Sequence, residues 1–108
     1  RRYKQATKLA NIDPLLELME KLRDKDKGCP WDIEQDHNSI AHCSIEEAYE
    51  LVAAITKNDQ DNIKEELGDL LLQVIFHSQI AKENNAFDFN DVVEALSQKI
   101  NNKTPKCF

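Results

Sequence analysis

The chain has 108 residues, a formal net charge of −6 at pH 7, two glycines and three prolines. This length suits one domain with a modest core. The acidic balance argues against binding to nucleic acid or to an anionic membrane unless cations mediate the contact. So few glycines and prolines leave little turn chemistry for a β-rich fold, and we expect an all-α protein.

Two further features bear on where the chain works. Its apolar runs stay short of the about 18 residues that a membrane-spanning helix needs, and it opens without a signal-peptide pattern. The three cysteines are widely spaced and contain no CxxC pair, which is typical of reduced thiols. A cytoplasmic location is therefore expected.

The first half of the chain predicts an arm, a helix and an ordered loop. Residues 1–12 are expected to form an N-terminal arm before the domain proper at 13–108. Asp13, followed by proline, predicts the start of the first helix, with the acid as N-cap. Gly28 is expected to end that helix. The stretch that follows, up to residue 43, predicts an ordered loop with one helical turn.

Apolar periodicity predicts three more helices. The second begins at Ser44, the third covers about 62–83, and the fourth is capped by Asp88 or Asn90. The third is apolar around most of its circumference, so it should be buried on several sides. We expect four main helices with short connections, in a bundle completed by homodimerisation.

Three glutamates, Glu46, Glu47 and Glu50, stand near the predicted start of the second helix. One explanation is a capping box, with Ser44 as N-cap and Glu47 at the third helical position. The other is a cation site. Capping does not account for Glu50, one turn further along, so the first explanation is incomplete.

A second acidic pair, Glu66 and Asp69, forms a polar stripe with Gln73 on the apolar third helix. Two antiparallel helices would then present several carboxylates to one point between them. Such carboxylates repel one another and raise each other's pKa unless a cation lies between them. Mg²⁺ or Mn²⁺ is the natural partner of all-oxygen ligands, so the spacing favours a metal site.

Four segments together resemble the MazG nucleoside triphosphate pyrophosphohydrolases, a family of the all-α NTP pyrophosphatases. They are GCPWD (28–32), EEAYE (46–50), EELGD (65–69) and FDFND (87–91). The resemblance covers roughly residues 15–108. It implies a dimer of helical bundles that hydrolyses (deoxy)nucleoside triphosphates to the monophosphate and pyrophosphate with Mg²⁺, an activated water attacking the α-phosphate.

The resemblance also implies roles for the acids. Glu47, Glu50, Glu66 and Asp69 are the implied metal ligands, and Glu46 is an auxiliary carboxylate. Either Glu46 or Glu47 would orient the attacking water as general base. No nucleophilic serine or cysteine is required.

Candidates for substrate binding are Trp31, Lys99 and Lys103. Trp31 would stack on a nucleobase, with packing as the alternative; the lysines would contact phosphates, with solvated surface positions as the alternative. Relatives commonly carry an Arg-Arg-His-Pro-His run where this chain has NKTPK at 102–106. Because arginine binds phosphate in a bidentate way and lysine does not, this difference weakens the expectation of tight substrate binding.

Three alternatives therefore stay open beside the general NTP pyrophosphohydrolase. They are a dUTP- or dCTP-type enzyme, a phosphoribosyl-ATP pyrophosphohydrolase, and a non-catalytic dimerisation or regulatory copy within a tandem protein. Among the remaining candidate ligands, His77 lies on an apolar stripe and is interpreted as a core histidine. The spacing of Cys29, His42 and Cys43 matches no common structural zinc site.

Overall fold

The computed structural model describes residues 10–102, which form five helices and no strand. The helices are α1 (Asp13–Leu22), α2 (Pro30–Ile33), α3 (His37–Thr56), α4 (Gln60–Glu83) and α5 (Phe89–Asn102). Because α2 is a single turn of 4 residues, the predicted all-α class with four main helices is confirmed. In this part of the chain, no helix has the length and apolar content to cross a bilayer.

Helix α4 is the centre of the fold, and α1, α3 and α5 all pack against it. The core is a small cluster on three of these helices: Met19 of α1, Ile40 of α3, and Ile75, Phe76 and Ile80 of α4. All the buried residues of α4 lie in its C-terminal half. One chain therefore buries this helix in its C-terminal half and leaves its N-terminal half largely exposed, so the expected burial of that half against a second subunit stays a prediction.

A three-residue connection joins α3 to α4 and makes them an antiparallel hairpin. Asn58 has a φ of 53° and follows the helix end in the left-handed conformation that a Schellman motif requires. The motif's two hydrogen bonds are present, from Asp59 N to Ala54 O and from Asn58 N to Ile55 O. The Asp59 side chain then caps α4 by accepting from Asn62 N at 3.2 Å. Local chemistry alone thus reverses the chain here.

The start of α3 lies seven residues before the predicted one, at His37 rather than Ser44. Asp36 Oδ1 accepts from Ser39 N at 2.8 Å, and Ser39 Oγ accepts from Asp36 N at 2.9 Å. This reciprocal pair is a capping box with serine in place of the usual glutamate, which is a weaker sequence signal. Ser44 therefore lies inside the helix, and the predicted capping box around it is wrong.

The fourth main helix, α5, begins at one of the two predicted caps, Asp88 or Asn90. Asp88 Oδ1 accepts from Asp91 N at 3.0 Å, and Asp91 Oδ2 accepts from Asp88 N at 3.0 Å. Asp88 is therefore the capping residue of α5, and Asn90 is not.

Gly28 does not end α1, which stops at Leu22. Its role is a close backbone approach: its amide donates to Asp24 O at 2.8 Å, and the next amide, of Cys29, donates to Leu22 O at 2.8 Å. A Cβ at this position would lie 2.6 Å from Asp24 O and closer still to Leu22 O. Only glycine fits without moving the backbone.

We expect Gly28→Ala to destabilise the protein by about 2 kcal/mol or more, because backbone atoms must move to admit the methyl group. Gly68→Ala is the matched control, since a Cβ there meets no atom within 4 Å. Because Gly68 is inside α4, its replacement should stabilise the helix by about 0.5–1 kcal/mol. Urea unfolding of both variants measures the two effects, and equal midpoints would show that the loop is not constrained at Gly28.

Candidate functional site

The hairpin of α3 and α4 brings acids from both helices to one place. Glu47 lies on α3, and Glu66 and Asp69 lie on the facing α4. Each contributes a carboxylate oxygen, and these three atoms lie within 4.8 Å of one another. Residues three apart share a helix face, and the antiparallel partner supplies the third acid to that face. We refer to Glu47, Glu66 and Asp69 as the carboxylate cluster.

The carboxylate cluster lacks the partners that normally accompany acids in a folded protein. Glu47 and Glu66 are half-buried and Asp69 is exposed. Glu47 Oε2 is buried without a hydrogen-bond partner, and so is Oε1 of Gln73, one turn beyond Asp69. Within residues 10–102, neither salt bridge includes a member of the cluster. Buried polar atoms are normally satisfied, so these two acceptors are open to a hydrogen-bond donor or to a cation.

The electrostatics of the cluster give the same indication. The pKa of Glu47 is raised, first by desolvation and then by the negative charges of Asp69, Glu50 and Glu46. The pKa of Glu66 is raised by desolvation and by the charges of Asp69, Glu50 and Glu47. Glu47 and Glu66 thus resist ionisation because of desolvation and because of their acidic neighbours, and a bound cation would offset both effects.

Glu50 and Glu46 occupy different positions relative to the cluster. Glu50 is exposed and lies one turn beyond Glu47, and its charge acts on both Glu47 and Glu66. It is therefore placed beside the cluster. Glu46 is also exposed, but its carboxylate lies within 4.8 Å of ligand atoms of His42 and Cys43.

The donor set of the carboxylate cluster fits a hard divalent cation. Carboxylate oxygens are the ligands that Mg²⁺ and Mn²⁺ prefer, and Glu47 Oε2 is a buried oxygen that no hydrogen bond occupies. The explanation of Glu46 and Glu47 as helix-start residues is wrong, because both lie in the interior of α3.

Two of the three predicted substrate-binding residues, Trp31 and Lys99, lie on helices other than α3 and α4. Trp31 of α2 is 58% exposed, and its ring meets Phe76 edge-on at a centroid distance of 6.5 Å. Lys99 of α5 lines a groove that includes no member of the carboxylate cluster. Lys103 lies outside the described residues. The roles of all three stay predictions.

Sequence reasoning missed the pairing of His37 with His77. Their rings stack at a centroid distance of 5.0 Å, and their Nδ1 atoms lie 2.7 Å apart. Desolvation and the neighbouring ring lower the pKa of the half-buried His77, which favours its neutral form. The two residues stand 40 positions apart, so no local pattern indicates the contact.

Comparison with known proteins identifies the family of the chain. A family model described as the MazG nucleotide pyrophosphohydrolase domain matches residues 35–108. The chain is 48% identical over 97 residues to a nucleoside triphosphate pyrophosphohydrolase of Escherichia coli K12. It is also 48% identical over 97 residues to the nucleoside triphosphate pyrophosphohydrolase/pyrophosphatase MazG of Thermotoga maritima, and both alignments cover 90% of this chain.

A third relative, a nucleoside triphosphate pyrophosphohydrolase of Mycolicibacterium smegmatis, is 43% identical over 90 residues, or 82% of this chain. The chain spans only 37%, 38% and 27% of the length of these three relatives. The family match includes every residue of the carboxylate cluster. On these grounds the chain belongs to the MazG nucleotide pyrophosphohydrolase domain family.

Proposed function

We propose that this domain hydrolyses nucleoside triphosphates to the monophosphate and pyrophosphate with the help of Mg²⁺. The observation that supports the proposal best is the carboxylate cluster, whose three ligand oxygens lie within 4.8 Å of one another. One of its members has a buried carboxylate oxygen without a partner. The three relatives are named nucleoside triphosphate pyrophosphohydrolases, which supports the same reaction class for this domain.

Charge makes the metal necessary to the proposal. The substrate is a polyanion and the cluster is acidic, so the two would repel each other in the absence of cations. Glu47, Glu66 and Asp69 would hold the metal, together with Glu50. When bound, Mg²⁺ supplies neutralisation of phosphate charge, orientation of the phosphate oxygens and a lowered pKa for a coordinated water.

The chain's own residues would then place and deprotonate the water. Glu46 and Glu47 are the candidates. Glu46 is favoured because it lies outside the carboxylate cluster, so the metal would not occupy its oxygens. Its exposed carboxylate is available to accept a proton from a water that attacks the α-phosphorus. The bond from the α-phosphorus to the bridging oxygen breaks, and pyrophosphate leaves.

Recognition of the nucleotide would come from side chains outside the cluster. The exposed ring of Trp31 is available to stack on a base. Lys99 and Lys103 are proposed to contact phosphate oxygens. Because a lysine is a point charge and not a bidentate fork, we expect these contacts to favour a polyanion without fixing its orientation.

The test is to identify products by phosphorus NMR for a panel of NTPs and dNTPs with Mg²⁺, with Mn²⁺ and with EDTA. Monophosphate and pyrophosphate should appear together, and EDTA should abolish them. Glu66→Gln should lose the activity, whereas Glu65→Gln, which removes an exposed acid next to it, should keep it. Orthophosphate as the product, or no product under any condition, would overturn the proposal.

Mg²⁺ should also raise the thermal midpoint of the wild-type protein, because a ligand that binds only the folded state stabilises it. We expect the increase to be much smaller in Glu66→Gln and unchanged in Glu65→Gln. Differential scanning calorimetry with and without Mg²⁺ measures it. A chain that gains stability from Mg²⁺ but releases no pyrophosphate would be a non-catalytic copy.

We also propose that the domain acts as a homodimer, because one chain leaves much of its apolar surface uncovered. On α3, Ile45, Tyr49 and Val52 are 61%, 72% and 58% exposed, and they form one stripe. On α4, Leu67 and Leu71, four residues apart on one face of the helix, are 50% and 37% exposed. Isolated exposed apolar residues are ordinary, but continuous stripes on two packed helices are typical of a subunit interface.

Analytical ultracentrifugation tests the dimer. The wild-type chain should sediment as a dimer at micromolar concentration, and Tyr49→Glu should shift it toward the monomer by placing a charge in the apolar stripe. Tyr49→Phe, which keeps the ring, is the control. A wild-type monomer, or a dimer that Tyr49→Glu leaves intact, would contradict this interface.

A further inference from the structure

A second group of metal-binding side chains lies on α3, apart from the carboxylate cluster. It consists of His42, Cys43 and Glu46, and their ligand atoms lie within 4.8 Å of one another. Cys43 Sγ lies 3.8 Å from His42 Nε2. Glu46 is three residues after the cysteine and four after the histidine, so helical geometry brings its carboxylate back to both.

The donor chemistry of this group differs from that of the carboxylate cluster. Imidazole nitrogen, thiolate sulfur and carboxylate oxygen are the three ligand types of Zn²⁺ in proteins, whereas Mg²⁺ avoids sulfur. Tetrahedral geometry with usual Zn–S and Zn–N bond lengths separates the sulfur and the nitrogen by about 3.6 Å. The observed 3.8 Å is close to that separation.

The fold holds the thiol and leaves the other two ligands open to solvent. Cys43 is half-buried and packs against the core cluster that contains Ile40. His42 and Glu46 are exposed, so an ion can reach them directly. Three protein ligands leave the fourth tetrahedral position for water, as in zinc sites that are not purely structural.

We propose that His42, Cys43 and Glu46 form a site for Zn²⁺ or a chemically similar divalent ion. This site has a consequence that rests on the proposed function. Glu46 neighbours Glu47 and is a candidate general base, so an ion that holds the Glu46 carboxylate withdraws it from the attacking water. Zinc bound at α3 therefore inhibits the hydrolysis that Mg²⁺ supports at the carboxylate cluster.

The binding test uses Co²⁺ as a spectroscopic substitute for Zn²⁺, with excess Mg²⁺ occupying the carboxylate cluster. Thiolate coordination produces a near-ultraviolet charge-transfer band, which oxygen ligands alone do not produce. The chain has three cysteines, so the double variant Cys29→Ser, Cys107→Ser keeps Cys43 as its only thiol and should keep the band. Adding Cys43→Ser to this double variant should abolish the band. Added Zn²⁺ should displace Co²⁺ from the double variant and remove its band.

His42→Gln should weaken Co²⁺ binding by more than about tenfold, since it removes one of three protein ligands. Circular dichroism checks that each variant is folded. The site would be overturned if the double variant showed no band, or if its band survived the addition of Cys43→Ser. His42 and Cys43 would then make an ordinary contact between a thiol and an imidazole.

The inhibition test compares pyrophosphate release with and without micromolar Zn²⁺ in excess Mg²⁺. The wild-type enzyme should be inhibited and should recover with a chelator selective for zinc, whereas Cys43→Ser should resist. Equal inhibition of both proteins would overturn the link to Glu46. A chain with the cobalt band but no hydrolysis under any condition would overturn the proposed function and leave the metal site standing.

Discussion

Glu47→Gln is expected to abolish pyrophosphate release and at the same time to raise the thermal stability of the metal-free protein. The two effects have opposite signs because they have different causes. The loss of activity, by about 10²–10⁴-fold, follows from removing a metal ligand that is also a candidate base. The gain in stability follows from removing one negative charge from a cluster of mutually repelling acids.

Excess Mg²⁺ should make the wild-type protein more stable than Glu47→Gln, which reverses the order expected without metal. In excess Mg²⁺ the wild-type protein gains stability by binding, and Glu47→Gln gains little. Glu65→Gln controls for the loss of a glutamate on the adjacent helix and should match the wild type in both assays. If Glu47→Gln unfolded at a lower temperature than the wild type in EDTA, the carboxylate would be a structural partner and not an unneutralised acid.

Arg23 contributes strongly to the stability of the fold, and its side chain is only 7% exposed. Its guanidinium donates to both carboxylate oxygens of Glu83, at 2.9 and 2.8 Å. It also donates to the main-chain oxygens of Asp32 and Gln35, and it lies 5.6 Å from the centroid of the Phe76 ring. One side chain thus ties the end of α1 to the segment around α2 and to the end of α4.

Arg23→Ala should lower the free energy of unfolding by about 3–5 kcal/mol, because two main-chain carbonyl oxygens each lose a donor and the Glu83 carboxylate keeps only the hydrogen bond from Gln79 Nε2. Arg23→Lys should recover little of this, since an ammonium group cannot reach all three acceptors. Lys82→Ala is the control: its pair with Glu20 is more than half exposed and should contribute less than about 1 kcal/mol. Urea unfolding distinguishes them, and similar losses for Arg23→Ala and Lys82→Ala would contradict the argument.

Because of the contact between Arg23 and Glu83, the free energy of unfolding should depend on pH. Hydrogen bonds from Arg23 lower the pKa of Glu83 below its usual value of 4.5. The stabilisation from the pair is therefore complete above pH 4.5 and is lost as the pH falls through the lowered value. The difference in stability between wild type and Arg23→Ala should shrink over that acid range, as measured by urea unfolding at successive pH values.

The predicted start of α3 was wrong because the sequence offers two capping boxes, and the stronger one is not the box that begins the helix. Ser44 and Glu47 match a capping box, yet the helix begins seven residues earlier, at a weaker box formed by Asp36 and Ser39. Burial of Ile40 favours the longer helix, because that side chain is 2% exposed and part of the core. Such burial depends on α1 and α4, so a local pattern cannot predict it.

The sequence by itself determined the helical class, the four main helices and the acidic pairs on α3 and α4. These features depend on spacings of three and four residues, which helical geometry converts directly into shared faces. Only the tertiary structure decided that Glu47 meets Glu66 and Asp69, that His37 stacks on His77, and that Arg23 reaches Glu83. Contacts of this kind join residues far apart in the chain, and their free energy depends on how whole helices pack, which no short window of sequence contains.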